Sequence, residues 1–114
     1  MNKSEFFKSA KDLIKTKEVE TPSGKVIVRG MSAGERDDFE QIVLLARQKD
    51  QTPKDIRARI AVACVVDESG KKMFAQSDIA ELSSLPSSVL DPILEAALEL
   101  SGLNSEAIAE AKKN

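Results

Sequence analysis

The spacing of apolar and polar positions changes several times along the chain, and each change marks an element. The most apolar stretch is Thr52–Phe74, where Ile56, Ile60, Ala61, Ala63, Cys64, Val65 and Val66 fall on more than one side of a helix. Such a segment predicts a central helix enclosed by its neighbours. Thr52 supplies a cap, Pro53 suits the first turn, and Asp55 stands beside the positive end of the dipole. Asp67-Glu68-Ser69-Gly70 stops the helix with a glycine able to turn left-handed, and Met73-Phe74 brings the chain back to the core.

The flanking elements follow from the same reading. Ser4-Glu5 opens an amphipathic helix over 4–16, with Phe6, Ala10, Leu13 and Ile14 on one face, Phe7 beside them, and Lys8, Lys11 and Lys15 at polar positions. A phenylalanine pair near a chain end reads first as a helix docked on its own core. The other reading makes Phe6, Phe7, Lys8, Lys11 and Lys15 a surface for self-association or for a partner. Residues 17–30 predict a hairpin around Pro22-Ser23-Gly24. Ser32 and Glu35 form a capping box, and the helix behind it, to about Lys49, places Phe39, Ile42, Val43 and Ala46 inward with Leu45 alongside. Arg36, Asp37, Glu40 and Arg47 take its outer face.

Ser77-Asp78 starts a short helix bearing Ile79 and Leu82, broken at Leu85-Pro86. From Ser87, the positions Val89, Leu90, Ile93, Leu94, Ala97 and Leu98 make a long apolar helical face that Gly102 ends. Pro92 interrupts it, predicting either a kink or a restart with Asp91 as cap. A weakly ordered tail over 104–114 carries Ile108. The sum is a single α+β domain, predominantly α: five or six helices around a central one, with one N-terminal β-hairpin, and a helical body over 32–103.

Composition narrows the functions open to such a domain. With 41% hydrophobic and 32% charged residues, the 114-residue chain is ordinary for a folded domain, and no apolar run suits a signal or membrane segment. The absence of His removes the commonest acid-base group, and the acidic cluster Asp37-Asp38-Glu40 reads as a solvated helix face. One cysteine and no histidine do not make a metal centre; Cys64 reads as a small buried hydrophobe, which fits a reducing cytoplasm. Scattered glycines cannot cradle phosphate, and a net charge of −2 without Tyr or Trp disfavours nucleic acid. No enzyme, cofactor or metal is expected, and what remains is a protein that works through its surfaces. Charge is uneven along it: the first 30 residues carry +3 and residues 86–114 carry −3. Contacts between the front of one copy and the back of the next would join opposite charges and give a head-to-tail homo-oligomer; the other reading of the same charges has the two ends lying together within one subunit.

The order of motifs adds a family. A hairpin ending Val26-Ile27-Val28-Arg29-Gly30, the capped helix from Met31 to Glu40, the run from Ala61 through Asp67–Gly70 to Phe74, the Ser77–Leu82 segment, and the leucine-rich helix ending Ser101-Gly102-Leu103 together resemble the tail assembly chaperones of long-tailed bacteriophages. The resemblance spans roughly Val19–Leu103; Ser101 stands where that family often has Asn. It implies a non-enzymatic late protein of virion morphogenesis, acting in the cytoplasm of the bacterial host. Its implied partners are the tape-measure protein, which it coats, and the tail-tube protein, which it recruits, with self-association and with neither nucleic acid nor membrane. It also implies a longer frameshifted form, for which Lys112-Lys113-Asn114 could be written as a run of adenines. A structural head or tail component that stays in the virion, and a general cytoplasmic helical interaction module, are the other readings.

Overall fold

The computed structural model describes residues 1–102. In chain order these form α1 (Lys3–Lys11), β1 (Thr16–Thr21), β2 (Gly24–Arg29), α2 (Ala33–Gln48), α3 (Ile56–Cys64), β3 (Val65–Val66), a 3-10 turn at Gln76–Asp78 that leads into α4 (Ile79–Ser83), and α5 (Ser87–Leu100). The architecture is α+β and mainly α, with the expected N-terminal hairpin. The tail over 104–114, with Leu103, Ile108 and Lys112-Lys113-Asn114, lies outside the described residues.

The hairpin closes on Pro22-Ser23, pairing Thr21 with Gly24 and Thr16 with Arg29. Gly24 takes φ +133°, a value side chains rarely adopt. The Thr21 hydroxyl donates to the Gly24 carbonyl at 2.7 Å and accepts from the Ser23 amide at 3.1 Å, which accounts for a buried threonine at a turn. A third antiparallel strand follows, and it corrects the expected extent of the central helix. Val65 and Val66 leave the helix and pair with Val28 and Ile27. Both are β-branched and fully buried, and the open edge of β2 offers hydrogen bonds along with a packed surface, which together outweigh helix continuation.

The other end of α3 differs too. The helix begins at Ile56, with neither Thr52 as cap nor Pro53 in its first turn. Asp55 adopts a left-handed conformation, φ +56°, and its carboxylate accepts from the Ser83 hydroxyl at 2.9 Å, so it anchors α4 and does not cap α3. What is left is short but buried nearly all round: Ile56, Ala58, Ile60, Ala61, Val62 and Cys64. The core is completed by α5, which packs on β1, β2 and α3 and buries Leu90, Ile93, Leu94, Ala96, Ala97 and Leu98.

Helix α5 passes through Pro92 without restarting. Asp91 does not cap it; its carboxylate is engaged by the Arg57 guanidinium. The residue whose carbonyl loses a helical partner to the proline is Ser88, which is exposed, so water can supply the missing bond. At the far end, the Ser101 hydroxyl donates to the Ala97 carbonyl at 2.6 Å and accepts from the Met31 amide at 2.8 Å, while Arg36 donates to the Ser101 carbonyl at 3.0 Å. A cation at the negative end of the dipole and a side-chain clamp thus tie α5 to the start of α2. Gly30 lies in that contact, and a Cβ there would sit 2.9 Å from the Leu100 carbonyl oxygen.

The capping box of α2 forms as expected, with the Glu35 amide donating to the Ser32 hydroxyl at 3.2 Å and the Ser32 amide to the Glu35 carboxylate at 2.9 Å. Beyond the cap, the inward face forms, but it is only partly covered. Of the inward set, Phe39 is buried, Ile42 and Val43 pack half-buried against the core and Ala46 is half-buried, while Leu44 and Leu45 are about half exposed. Helix α2 leans on the core at its N-terminal end and stands away from it further along. It closes at Asp50, φ +54°, where the Asp50 amide donates to Arg47 at 3.0 Å and the Gln51 amide to Ala46 at 2.8 Å. This is a Schellman ending with aspartate in the position that favours glycine.

Candidate functional site

Three landmarks of the sequence converge on Glu35. Its carboxylate receives Arg29 from the end of β2 at 2.7 Å and Lys72 from beyond the Asp67–Gly70 turn at 3.0 Å, besides the Ser32 amide of its own cap. Burial would push the Glu35 carboxyl up, but the Ser32 amide, Lys72 and Arg29 together hold it down at about 2. The cluster is therefore fixed as an ion triad at neutral pH. It fastens the strand, the helix start and the turn to one another. The turn itself is held by Asp67, whose carboxylate accepts from the Ser69 hydroxyl at 2.6 Å and from the Ser69 and Lys71 amides. The Ser69 hydroxyl and then the Lys71 amide keep this exposed carboxyl below its ordinary value.

Cys64 is fully buried, and burial pushes its thiol up to about 12. It is a protonated hydrophobe at neutral pH, as its position in an apolar run indicates. Among the described residues no three His, Cys, Asp or Glu side chains come together as a metal site, and no helix is long and apolar enough to cross a membrane.

The surface is more informative. Helix α1 buries no residue, which corrects the expectation that it docks on its own core. Phe6 and Phe7 are each more than half exposed, and their rings meet edge to face at 5.9 Å between centroids. Leu13 and Ile14, expected in the same helix, lie in the turn behind it and are exposed. Lys8 and Lys11 occupy the last turn of α1, where they complement the dipole, and Lys15 precedes β1, its carbonyl accepting from the Gly30 amide at 2.9 Å. These five residues thus share one helix and its exit. The physical reason is tethering. Residues 12–15 join α1 to edge strand β1, whose inner face is already covered by α5.

The feature that sequence reasoning missed is a groove of about 480 Å³ where α2 parts from α3. Phe39, Ile42 and Leu45 line one wall and Ile56, Ile60 and Ala63 the other, with Glu35, Asp38, Arg59 and Lys72 at the rim. One signal in the sequence points to it. Ile42-Val43-Leu44-Leu45 are four consecutive apolar residues, and a helix cannot turn all of them toward one core. The arrangement suits the binding of apolar side chains from another helix, with charge around the edge to orient it.

Comparison of the chain with protein-family models, with curated proteins and with solved structures finds no match to any of them.

Proposed function

We propose that this protein is a non-enzymatic tail assembly chaperone of a long-tailed bacteriophage or prophage. It acts in the bacterial cytoplasm, where it self-associates, coats the tape-measure protein and recruits tail-tube subunits, and it leaves before the virion is complete. The motif order from the Arg29 strand end to the Ser101-Gly102 helix end supports the family. The observation that carries the functional part is the uncovered apolar surface on α1 and along α2, which a chain working through protein contacts requires and an isolated domain does not. Each of these surfaces is helical and rimmed by charge, which suits a long helical partner.

The test is co-expression with a tape-measure protein, together with mass spectrometry of finished particles. The proposal expects the partner to be soluble only when this chain is present, and this chain to be missing from virions. Retention in virions would make it a structural component of head or tail, and an indifferent partner would leave a general interaction module.

A further inference from the structure

We propose that the groove between α2 and α3 of one copy receives helix α1 of the next, so that copies join head to tail. This deepens the self-association within the proposed function and rests on that reading only for the statement that copies associate. The groove, at about 480 Å³, is large enough for side chains and too small for a whole helix. Phe6 and Phe7 form a matching knob, two rings in edge-to-face contact on a helix with nothing buried.

Charge sets the orientation. Lys3 and Lys11 stand four residues to either side of Phe7, on its face of α1, and neither has a side-chain partner among the described residues. Across from them, Asp38 at the groove rim and its neighbour Asp37 are likewise without a side-chain partner among the described residues. Lys72 is paired with Glu35 at 3.0 Å, which leaves Asp38 as the acid that an incoming lysine meets on the α2 side of the rim, while Arg59, bonded to the Lys54 carbonyl at 3.3 Å, keeps its positive charge on the α3 side. Because knob and groove lie on different elements, docking leaves one of each free at the ends of any chain of copies. Such a heterologous contact builds rings or open spirals.

Two variants separate this arrangement from others. Phe6→Ser with Phe7→Ser removes the knob, and Asp38→Lys with Leu45→Lys blocks the groove; all four positions are exposed, so each variant melts at the parent temperature. By light scattering the parent grows past a dimer with rising concentration, whereas each variant alone stays monomeric, its dissociation constant raised at least about tenfold. Mixed in equal amounts, they form a dimer that grows no further, since one intact knob meets one intact groove. A parent monomeric up to ~1 mM overturns the proposal. So does a variant that assembles like the parent, or a mixture that stays monomeric.

Oxidising the double variant Phe7→Cys with Leu45→Cys tests the occupant directly, because the fully buried Cys64 stays out of the reaction. A ladder of linked copies is expected. A linked monomer, meaning that α1 fills its own groove, refutes the arrangement, and so does the absence of any link, as when residues 103–114 cover the groove. Partner solubility is measured separately. A chain that assembles in this way and leaves the helical partner insoluble refutes the chaperone reading while this interface stands.

Discussion

Helices α1 and α5 present the same kind of pattern, an apolar stripe at helical spacing, and meet opposite fates. Six residues of α5 are buried, and none of α1. The difference lies in what surrounds each helix. The face of α5 is matched by two others of its own chain, the inner side of the hairpin and the length of α3, while α1 is tied to a strand whose inner side α5 already covers. An apolar stripe therefore states that a face is to be covered, and the rest of the fold decides whether its own chain supplies the cover. Helix α2 lies between the two cases, with Phe39 buried and Leu44 and Leu45 left outside.

The largest expected effect breaks the comparison on the α5 side. Leu94→Ala removes a side chain with no exposure from the contact among α3, α5 and the sheet, and Ile60→Ala acts from α3; each should cost about 2–5 kcal/mol through the cavity it leaves. Chemical denaturation measures this. Labelling of the Cys64 thiol should quicken in parallel, since it needs the same core to open. If Leu94→Ala melted with the parent, the division into core and periphery would be wrong.

The link between core and periphery is the Glu35 cluster, and its signature is a dependence on pH. The folded-state carboxyl lies at about 2, below its ordinary value of 4.5, so ionised Glu35 stabilises the fold fully above the ordinary value and progressively less as pH falls toward 2. The full shift corresponds to about 3 kcal/mol, which solvent around the half-exposed Lys72 reduces, and Glu35→Gln should flatten that part of the profile. An unchanged acid limb in the variant would remove the triad from its role as fastener.

Gly30→Ala strikes the contact that holds α5 against the start of α2. The added methyl carbon would lie 2.9 Å from a backbone oxygen, which cannot turn aside as a side chain can, at an expected cost of about 1–3 kcal/mol. Asp50→Gly sharpens the comparison in the other direction, relieving a left-handed aspartate at the end of α2 for a gain of up to about 1 kcal/mol. The smallest effect belongs to α1. Phe7→Ala should change the stability of the single copy by less than about 0.5 kcal/mol, because the ring is already in water, and a larger loss would show that α1 is docked.

Local chemistry was legible in the chain alone. The capping box at Ser32 and Glu35, the hairpin at Pro22-Ser23, the Asp67–Gly70 turn, the end of α5 at Gly102 and the buried Cys64 each depend on residues a few positions apart, or on the composition of one short run. The residues of α1 that face solvent were also legible as a candidate surface, yet the sequence held two readings for Phe6 and Phe7 and favoured the docked one. The groove was nearly hidden, since only the crowded run Ile42–Leu45 hints that α2 has more apolar side than one core can cover.

What the sequence determined by itself was thus the set of elements other than β3 and most of their ends, because caps and turns are settled within a few residues by hydrogen bonds and backbone sterics. The tertiary structure decided the rest. Val65 and Val66 became a strand because β2 offered an edge, Asp55 turned left-handed and bonded to Ser83, and Asp91 gave up a cap for Arg57. It also decided which apolar faces were left over. That last outcome depends on how much matching surface the folded chain can bring to each face, a quantity no local pattern contains.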